Sequence, residues 1–133
     1  MHPTHGVVAI VDDDAATRTS IERLLQASGY ATAVFPSAEE FLGSGLADSA
    51  MGLVLDVQLE GMSGIELFRR LRSSPAQVPT VFITARDHAA TREEALSLGC
   101  IDYLQKPFEA IALTRALEQC KSIHSQRTTR RLP

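Results

Sequence analysis

The sequence has no tryptophan, only two cysteines and few aromatic residues, which make up 5% of the chain. Two cysteines without a histidine cluster do not match a zinc site or a disulfide-rich secreted domain. We therefore expect Cys100 and Cys120, which lie among apolar neighbours, to be reduced core residues. No apolar run approaches the length of a membrane span, and the N-terminus lacks the apolar region of a signal peptide. These absences predict a cytoplasmic protein without a membrane partner.

The composition also lacks the signs of disorder, since 44% of residues are hydrophobic and the net charge is only −3. A length of 133 residues suits one globular domain with its own core. Residues 121–133 contain Lys and Arg but no Asp or Glu, so the preceding chain is acidic and gives no support to nucleic-acid binding by the folded part. We interpret residues 1–122 as one domain and residues 123–133 as a basic tail or the start of a linker.

Short apolar runs alternate with segments of helical periodicity along the chain. Each run is too short for a helix and is bounded by Gly, Pro or Asp, so we predict five strands, at 7–11, 31–35, 53–55, 80–83 and 101–104. The helical signals between and after them are Ile21, Leu24 and Leu25 before Gly29, a capping box of Ser37 and Glu40, Leu67, Phe68 and Leu71 before Pro75, a thin apolar stripe over 88–98, and a final helix over 108–120. This alternation predicts an α/β fold with a single doubly wound five-stranded parallel sheet and helices on both faces.

Polar residues follow four of the predicted strands, at the edge where α/β sheets bind ligands. They are Asp12, Asp13 and Asp14 after the first strand, Asp56 after the third, Thr84 after the fourth, and Lys106 with Pro107 after the fifth. Several carboxylates in one pocket require protonation or a cation, and oxygen ligands without His or Cys favour Mg²⁺. Because Thr84 and Lys106 can donate to an anionic oxygen, the set predicts phosphoryl transfer.

Several of these residues also have a purely structural interpretation. Asp13 or Asp14 could cap the first helix, Lys106 could pair with an acid, and Thr84 could bond to its own backbone. The convergence of these residues at one sheet edge is what favours function.

The segments IVDDD, VLDVQLEGMSG, FITAR and YLQKPF, in this order and spacing, resemble the receiver domain of two-component response regulators. The resemblance extends from residue 6 to about residue 122. Through GMSG and KPF it is closest to receivers that precede DNA-binding domains in transcriptional regulators. It implies a flavodoxin-like (βα)5 fold with strand order 2-1-3-4-5.

The resemblance also implies a role for each site residue. Asp56 would be the phosphoacceptor, and Asp12, Asp13, Asp56 and the backbone carbonyl of Gln58 would hold Mg²⁺ or Mn²⁺. Contacts to the phosphoryl group and switch movements would involve Thr84, Ala85, Lys106 and Tyr103, with Pro107 as a cis-bond turn. Dephosphorylation would be tuned by Gln58 and Arg86. One departure is Glu60, where many receivers have proline, which leaves the rigidity of that loop open.

As a receiver, the protein would be a signalling switch and not an enzyme beyond its own phosphotransfer and autodephosphorylation. Its phosphodonor would be a sensor histidine kinase or a phosphotransfer protein. The output would pass through the fourth helix, strand 5 and the fifth helix, by homodimerisation or through a DNA-binding output domain outside this chain. Two alternatives are a pseudo-receiver that only binds a partner and a hydrolase similar to haloacid dehalogenase phosphatases, which normally has Asp where this chain has Gln58.

Overall fold

The computed structural model describes residues 6–131, which form one five-stranded sheet with helices on both faces. The strands are β1 Val7–Val11, β2 Ala31–Phe35, β3 Gly52–Asp56, β4 Thr80–Thr84 and β5 Asp102–Gln105. The helices are α1 Ala15–Ala27, α2 Ala38–Ser44, α3 Gly64–Arg72, α4 Ala89–Ser97 and α5 Ala110–Arg131, with a short 3₁₀ turn at Leu46–Asp48. All strand pairs are parallel, in the order β2-β1-β3-β4-β5. The predicted fold class, strand order and five strands are confirmed.

The hydrophobic core is divided between the two faces of the sheet. One cluster includes Phe41, Phe68 and Phe82, and the other includes Ile10 and Leu117. Strands β3 and β4 are buried along their whole length because helices cover both faces, which explains their nearly continuous apolar sequences. This burial fixes the ends of the central strands, where the predicted site residues lie.

Helix α4 is held by few apolar contacts, as its thin apolar stripe predicted. Among its residues only Ala95 is buried, and Leu96 is 49% exposed. Its neighbour α3 instead buries most of its apolar side chains. Because little apolar surface anchors α4, displacing it costs less free energy than displacing α3.

Helix α5 extends further than the predicted segment, which ended at residue 120. It continues to Arg131, so most of the stretch interpreted as a tail or linker is helical. Residues 121–131 contain no Gly or Pro to end the helix, although the apolar periodicity that predicted it stops at Cys120. The Arg127 guanidinium donates to the carbonyl of Gln77 at 3.2 Å. The domain boundary at 122 stays a prediction, and residues 132–133 lie outside the described part. No helix in the described part is long and apolar enough to cross a membrane.

Candidate functional site

Three residues far apart in the sequence meet at the carboxyl edge of the sheet. Asp12 directly follows β1, Asp56 ends β3 and Lys106 follows β5. The Lys106 ammonium donates to Asp12 Oδ2 at 2.8 Å and to Asp56 Oδ2 at 3.2 Å. Because the strands are parallel, their carboxyl ends lie side by side, and the predicted convergence of these residues is observed.

The carboxylates of Asp12, Asp13 and Asp56 form a cluster with the chemistry of a divalent-cation site. One oxygen from each lies within 4.8 Å of the others; Asp12 and Asp56 are buried and Asp13 is exposed. This oxygen-only set fits a hard ion such as Mg²⁺, and the exposed side gives access from solvent. Asp14 does not belong to the cluster, because it is the N-cap residue of α1 and its carboxylate accepts the Thr17 hydroxyl at 2.6 Å.

The environment changes the proton affinity of both Asp56 and Lys106. Burial raises the pKa of Asp56 from 3.8 to about 6; the nearby Asp12 charge adds to this rise, whereas the Gln58 N–H and Lys106 oppose it. Burial acts to lower the pKa of Lys106, but its bonds and charge interactions with Asp12 and Asp56 outweigh burial and raise it. The Lys106 ammonium therefore stays charged, whereas the Asp56 carboxyl gains or loses its proton near pH 6.

The loop after β3 holds Asp56 closely. The Gln58 N–H donates to Asp56 Oδ1 at 2.9 Å, and the Gly64 N–H donates to the Val57 carbonyl at 3.0 Å. A Cβ atom on Gly64 would overlap the Asp56 carbonyl oxygen, so glycine is required where α3 approaches the end of β3. The role of the Gln58 carbonyl as a metal ligand stays a prediction.

Two of the predicted switch residues, Thr84 and Tyr103, lie next to the cluster but do not bond to it. Thr84 is fully buried, and its hydroxyl donates to the Arg86 carbonyl at 2.6 Å and accepts from the Arg86 N–H at 3.2 Å. Tyr103 is 3% exposed, and its hydroxyl lies near Thr84 but makes no hydrogen bond to any described residue. The Arg92 guanidinium covers the Tyr103 ring, with Cζ 5.6 Å from the ring centroid. Thr84 therefore has to exchange hydrogen-bond partners before it can contact a group on Asp56.

The remaining predicted residues lie at the rim of the site. Gln58, Ala85 and Arg86 are exposed. The Lys106–Pro107 peptide bond is cis, at the position expected for such a turn. The Lys106 N–H donates to the Thr84 carbonyl at 2.7 Å, which joins the ends of β4 and β5. The tuning roles of Gln58 and Arg86 stay predictions.

A family model of the response regulator receiver domain matches residues 8–118. This chain belongs to that family. The receiver is 36% identical over 116 residues to the transcriptional regulatory protein FixJ of Bradyrhizobium diazoefficiens, covering 86% of this chain and 56% of that protein. It is 39% identical over 113 residues to the response regulator MprA of Mycobacterium avium, covering 83% of this chain and 50% of that protein. The receiver thus spans about half the length of the curated relatives it matches.

Solved structures of response regulators have the same fold as this receiver. The response regulator StyR superposes with a TM-score of 0.87 at 37% identity, covering 94% of this chain and 63% of that one. The structure of FixJ-N superposes with a TM-score of 0.80 at 32% identity, covering 88% of this chain and 94% of that one.

Two contacts that support the receiver site were not found by sequence reasoning. The Arg18 guanidinium donates to the Asp12 carbonyl at 2.7 Å, and Glu39 Oε2 accepts from the Met62 N–H at 2.9 Å. Arg18 lies four residues after the N-cap of α1, a spacing that could have indicated a reach back to the loop. The contact between Glu39 and Met62 spans 23 positions between separate elements and leaves no periodic signal.

A groove of about 570 Å³ lies beside the site, between α1 and the start of α5. Its lining includes Lys106 together with the apolar side chains of Ile21, Leu24 and Phe108. The receiver therefore has an apolar surface next to the ammonium group that contacts Asp56.

Proposed function

We propose that this receiver is a phosphorylation-dependent switch of a two-component system, in which Asp56 accepts a phosphoryl group from a phosphohistidine. The observation that carries this proposal is the buried Asp56 carboxylate, which Lys106 contacts at 3.2 Å and to which Asp12 and Asp13 add a cation-binding pair. A carboxylate oxygen of Asp56 attacks phosphorus as the phosphorus–nitrogen bond breaks, and the imidazole leaves with the bonding electrons and takes up a proton. The buried strand β3 holds the nucleophile in line with the donor.

Asp12, Asp13, Asp56 and the backbone carbonyl of Gln58 would hold a divalent cation, Mg²⁺ or Mn²⁺. When bound, the ion neutralises the charge of the transferring phosphoryl oxygens and the surrounding carboxylates. Lys106 also neutralises the charge of the phosphoryl oxygens, because its ammonium already contacts Asp56 Oδ2. The Lys106 and Asp56 side chains are largely buried, which makes their electrostatic interaction stronger than it would be in water.

The phosphorylated aspartate carries more negative charge than the carboxylate it replaces. One added unit charge about 4 Å from the Lys106 ammonium is worth on the order of 4 kcal/mol at an effective dielectric near 20, before desolvation. A difference of this size can shift a two-state equilibrium. Thr84 then leaves the Arg86 carbonyl for the phosphoryl group, and together with Ala85 and Tyr103 it carries the change to α4.

The groove between α1 and α5 supports a phosphodonor that is itself a protein and docks against the surface of this receiver. Apolar side chains of Ile21, Leu24 and Phe108 line it beside Lys106, so a sensor histidine kinase or a phosphotransfer protein can present its phosphohistidine next to Asp56. The output passes through α4, β5 and α5, by homodimerisation on that face or to a DNA-binding output domain outside this chain. The curated relatives, of which this chain spans about half, include a transcriptional regulatory protein and support this output.

Incubation with Mg²⁺ and acetyl phosphate, followed by intact mass measurement, tests the proposal. We expect one adduct of about 80 Da that decays slowly and is absent in Asp56→Asn. The matched control is Asp48→Asn, which makes the same change at an exposed residue before β3 and should keep the adduct. Continuous hydrolysis of the donor without slowing would favour a phosphatase instead. An unmodified parent would favour a pseudo-receiver, and an adduct in Asp56→Asn would assign the acceptor elsewhere.

A further inference from the structure

The loop that connects β3 to α3 is hydrogen-bonded to the sheet at its start and to α3 at its end. At its start the Val57 N–H donates to the Ile83 carbonyl at 3.0 Å, and Gln58 bonds to Asp56. At its end Ser63 caps α3 by accepting the Glu66 N–H at 3.1 Å. Residues 58–62 contain no proline, so no ring restricts the backbone of this stretch. The Leu59 and Met62 side chains pack against the hydrophobic core, and a contact to the loop backbone would restrict this stretch further.

A carboxylate from a neighbouring element supplies such a contact. Glu39 belongs to the first turn of α2, and its Oε2 atom accepts the Met62 N–H at 2.9 Å. The bond favours the ionised carboxylate and so holds the pKa of Glu39 below its ordinary value. Among the described residues, the side chain of the adjacent Glu40 makes no hydrogen bond or ion pair. The contact to the loop is therefore specific to Glu39 and is not shared by the other acidic residue in this turn of α2.

The backbone of the loop is shaped to receive this carboxylate. Gly61 has φ +76°, a conformation that glycine adopts without strain. A Cβ atom on Gly61 would lie 2.8 Å from Glu39 Oε2, so the missing side chain leaves the space that the carboxylate occupies. The hydrogen bond to Met62 and the fit against Gly61 place Glu39 over the middle of the loop.

We propose that Glu39 is a positioning residue for the phosphorylation site. By accepting the Met62 N–H it holds residues 58–62 in the conformation that keeps the Gln58 backbone beside the Asp56 carboxylate. This inference rests on the proposed function, in which the Gln58 carbonyl completes the cation site. Without the bond to Glu39, the loop samples more conformations, and binding of the cation then has to order the loop again.

Three variants separate this bond from charge and from folding. Glu39→Ala removes the acceptor, Glu39→Gln keeps an acceptor oxygen without the charge, and Glu40→Ala removes the same charge one residue away. We expect Glu39→Ala to bind Mn²⁺ about fivefold more weakly by calorimetry, the size typical of losing one exposed side-chain acceptor of a backbone N–H. Glu39→Gln should stay within about twofold of the parent, and Glu40→Ala should match it. In the metal-free protein, the Met62 amide should exchange faster only in Glu39→Ala.

The outcomes distinguish this inference from the proposed function. If Glu39→Ala left both Mn²⁺ affinity and Met62 exchange unchanged in a protein whose parent is phosphorylated, the positioning role would be wrong and the switch would stand. If Glu39→Gln lost as much affinity as Glu39→Ala, the residue would act through its charge and the proposed bond would be irrelevant. A parent that takes up no phosphoryl group would refute the proposed function, and the role of Glu39 with it.

Discussion

The ammonium group of Lys106 donates to the Asp12 carboxylate at 2.8 Å, although the two residues are 94 positions apart. Asp12 is fully buried, whereas the Lys106 side chain keeps 20% of its surface exposed. The same ammonium reaches Asp56 at 3.2 Å, so one cation is shared by two buried carboxylates. A divalent ion bound by these carboxylates has to share them with Lys106.

Replacement of Lys106 by methionine should therefore strengthen cation binding while weakening the response to phosphorylation. The substitution keeps most of the side-chain volume but removes the positive charge that opposes a second cation in the site. We expect Mn²⁺ to bind about tenfold more tightly in Lys106→Met by calorimetry. Lys121→Met makes the same charge change on α5, away from the acidic cluster, and should leave the affinity unaltered. Equal or weaker binding in Lys106→Met would show that the ammonium does not compete with the metal.

Asp13 contributes charge to the site without a structural bond of its own. It is exposed, and in the described part of the chain its carboxylate accepts no hydrogen bond. Asp13→Asn should weaken Mg²⁺ binding and, by removing repulsion, raise the free energy of unfolding of the metal-free protein by about 0.5 kcal/mol. Urea unfolding with and without Mg²⁺ measures both effects, with Asp48→Asn as the control. A clearly less stable metal-free variant would mean that Asp13 is part of the structure and not of a metal site.

The sheet could be predicted from the sequence because its strands are short apolar runs that end at polar residues or proline. Strands at 7–11 and 31–35 have the predicted bounds, since Asp12 and Pro36 end their apolar runs. The parallel order then places every strand end at one edge, which is why the acidic cluster and Lys106 could be expected to meet.

Other features depend on side-chain geometry or on absent signals. The sequence does not indicate that Thr84 bonds to the Arg86 carbonyl and not to the site, because the bond depends on the side-chain rotamer of Thr84. The length of α5 was missed because the apolar stripe stops before the helix does. The contact between Glu39 and Met62 joins an exposed side chain to the backbone of a half-buried loop residue, and no periodicity in the sequence indicates this pairing.

The close approach of Gly64 to Asp56 makes a side chain there costly. Gly64→Ala places a Cβ atom on the Asp56 carbonyl oxygen, so α3 or the end of β3 has to move. We expect the free energy of unfolding to fall by about 3 kcal/mol and phosphorylation by acetyl phosphate to slow. Gly43→Ala is the matched control: nothing lies within 4 Å of its Cβ position, and as a residue within α2 it should stabilise the protein by up to about 1 kcal/mol. Equal stability of the two variants would contradict the packing described here.

The raised pKa of Asp56 predicts a specific dependence of stability on pH. Because burial raises this pKa from 3.8 to about 6, the folded state holds a proton that the unfolded state releases between these values. The free energy of unfolding should therefore fall as pH rises from about 4 to 6, by about 2 kcal/mol after allowing for solvent screening. Lys106 stays protonated in this window, since its pKa is raised from 10.5.

Urea unfolding of the parent and of Asp56→Asn across this range isolates the contribution of Asp56. The difference in free energy of unfolding between the two proteins should change with pH in the absence of metal. This pH dependence should become weaker when Mg²⁺ is added, because the cation favours the ionised carboxylate. A difference that is flat from pH 4 to 7 would mean that Asp56 ionises normally.

The final prediction concerns the route by which a change at Asp56 reaches the surface. Three observations place the adaptable region after β4: Thr84 bonds to Arg86 and not to the site, the buried Tyr103 hydroxyl has no hydrogen bond within the described residues, and α4 buries only Ala95. Pulling Thr84 toward a group on Asp56 frees the Arg86 backbone and leaves Tyr103 with a changed neighbour. Little apolar contact holds α4 against this rearrangement.

We therefore expect beryllofluoride, which mimics a phosphoryl group on aspartate, to change hydrogen exchange across residues 84–110 and to promote association through α4, β5 and α5. Thr84→Val keeps the shape of the side chain but lacks the hydroxyl, so it should bind beryllofluoride at Asp56 and show a much smaller exchange change in residues 84–110. Hydrogen exchange followed by mass spectrometry, with sedimentation for the association, measures both responses. Changes confined to residues 12–40, or an unaltered response in Thr84→Val, would rule out this route, because in either case the signal would leave the site without passing through the Thr84 hydroxyl.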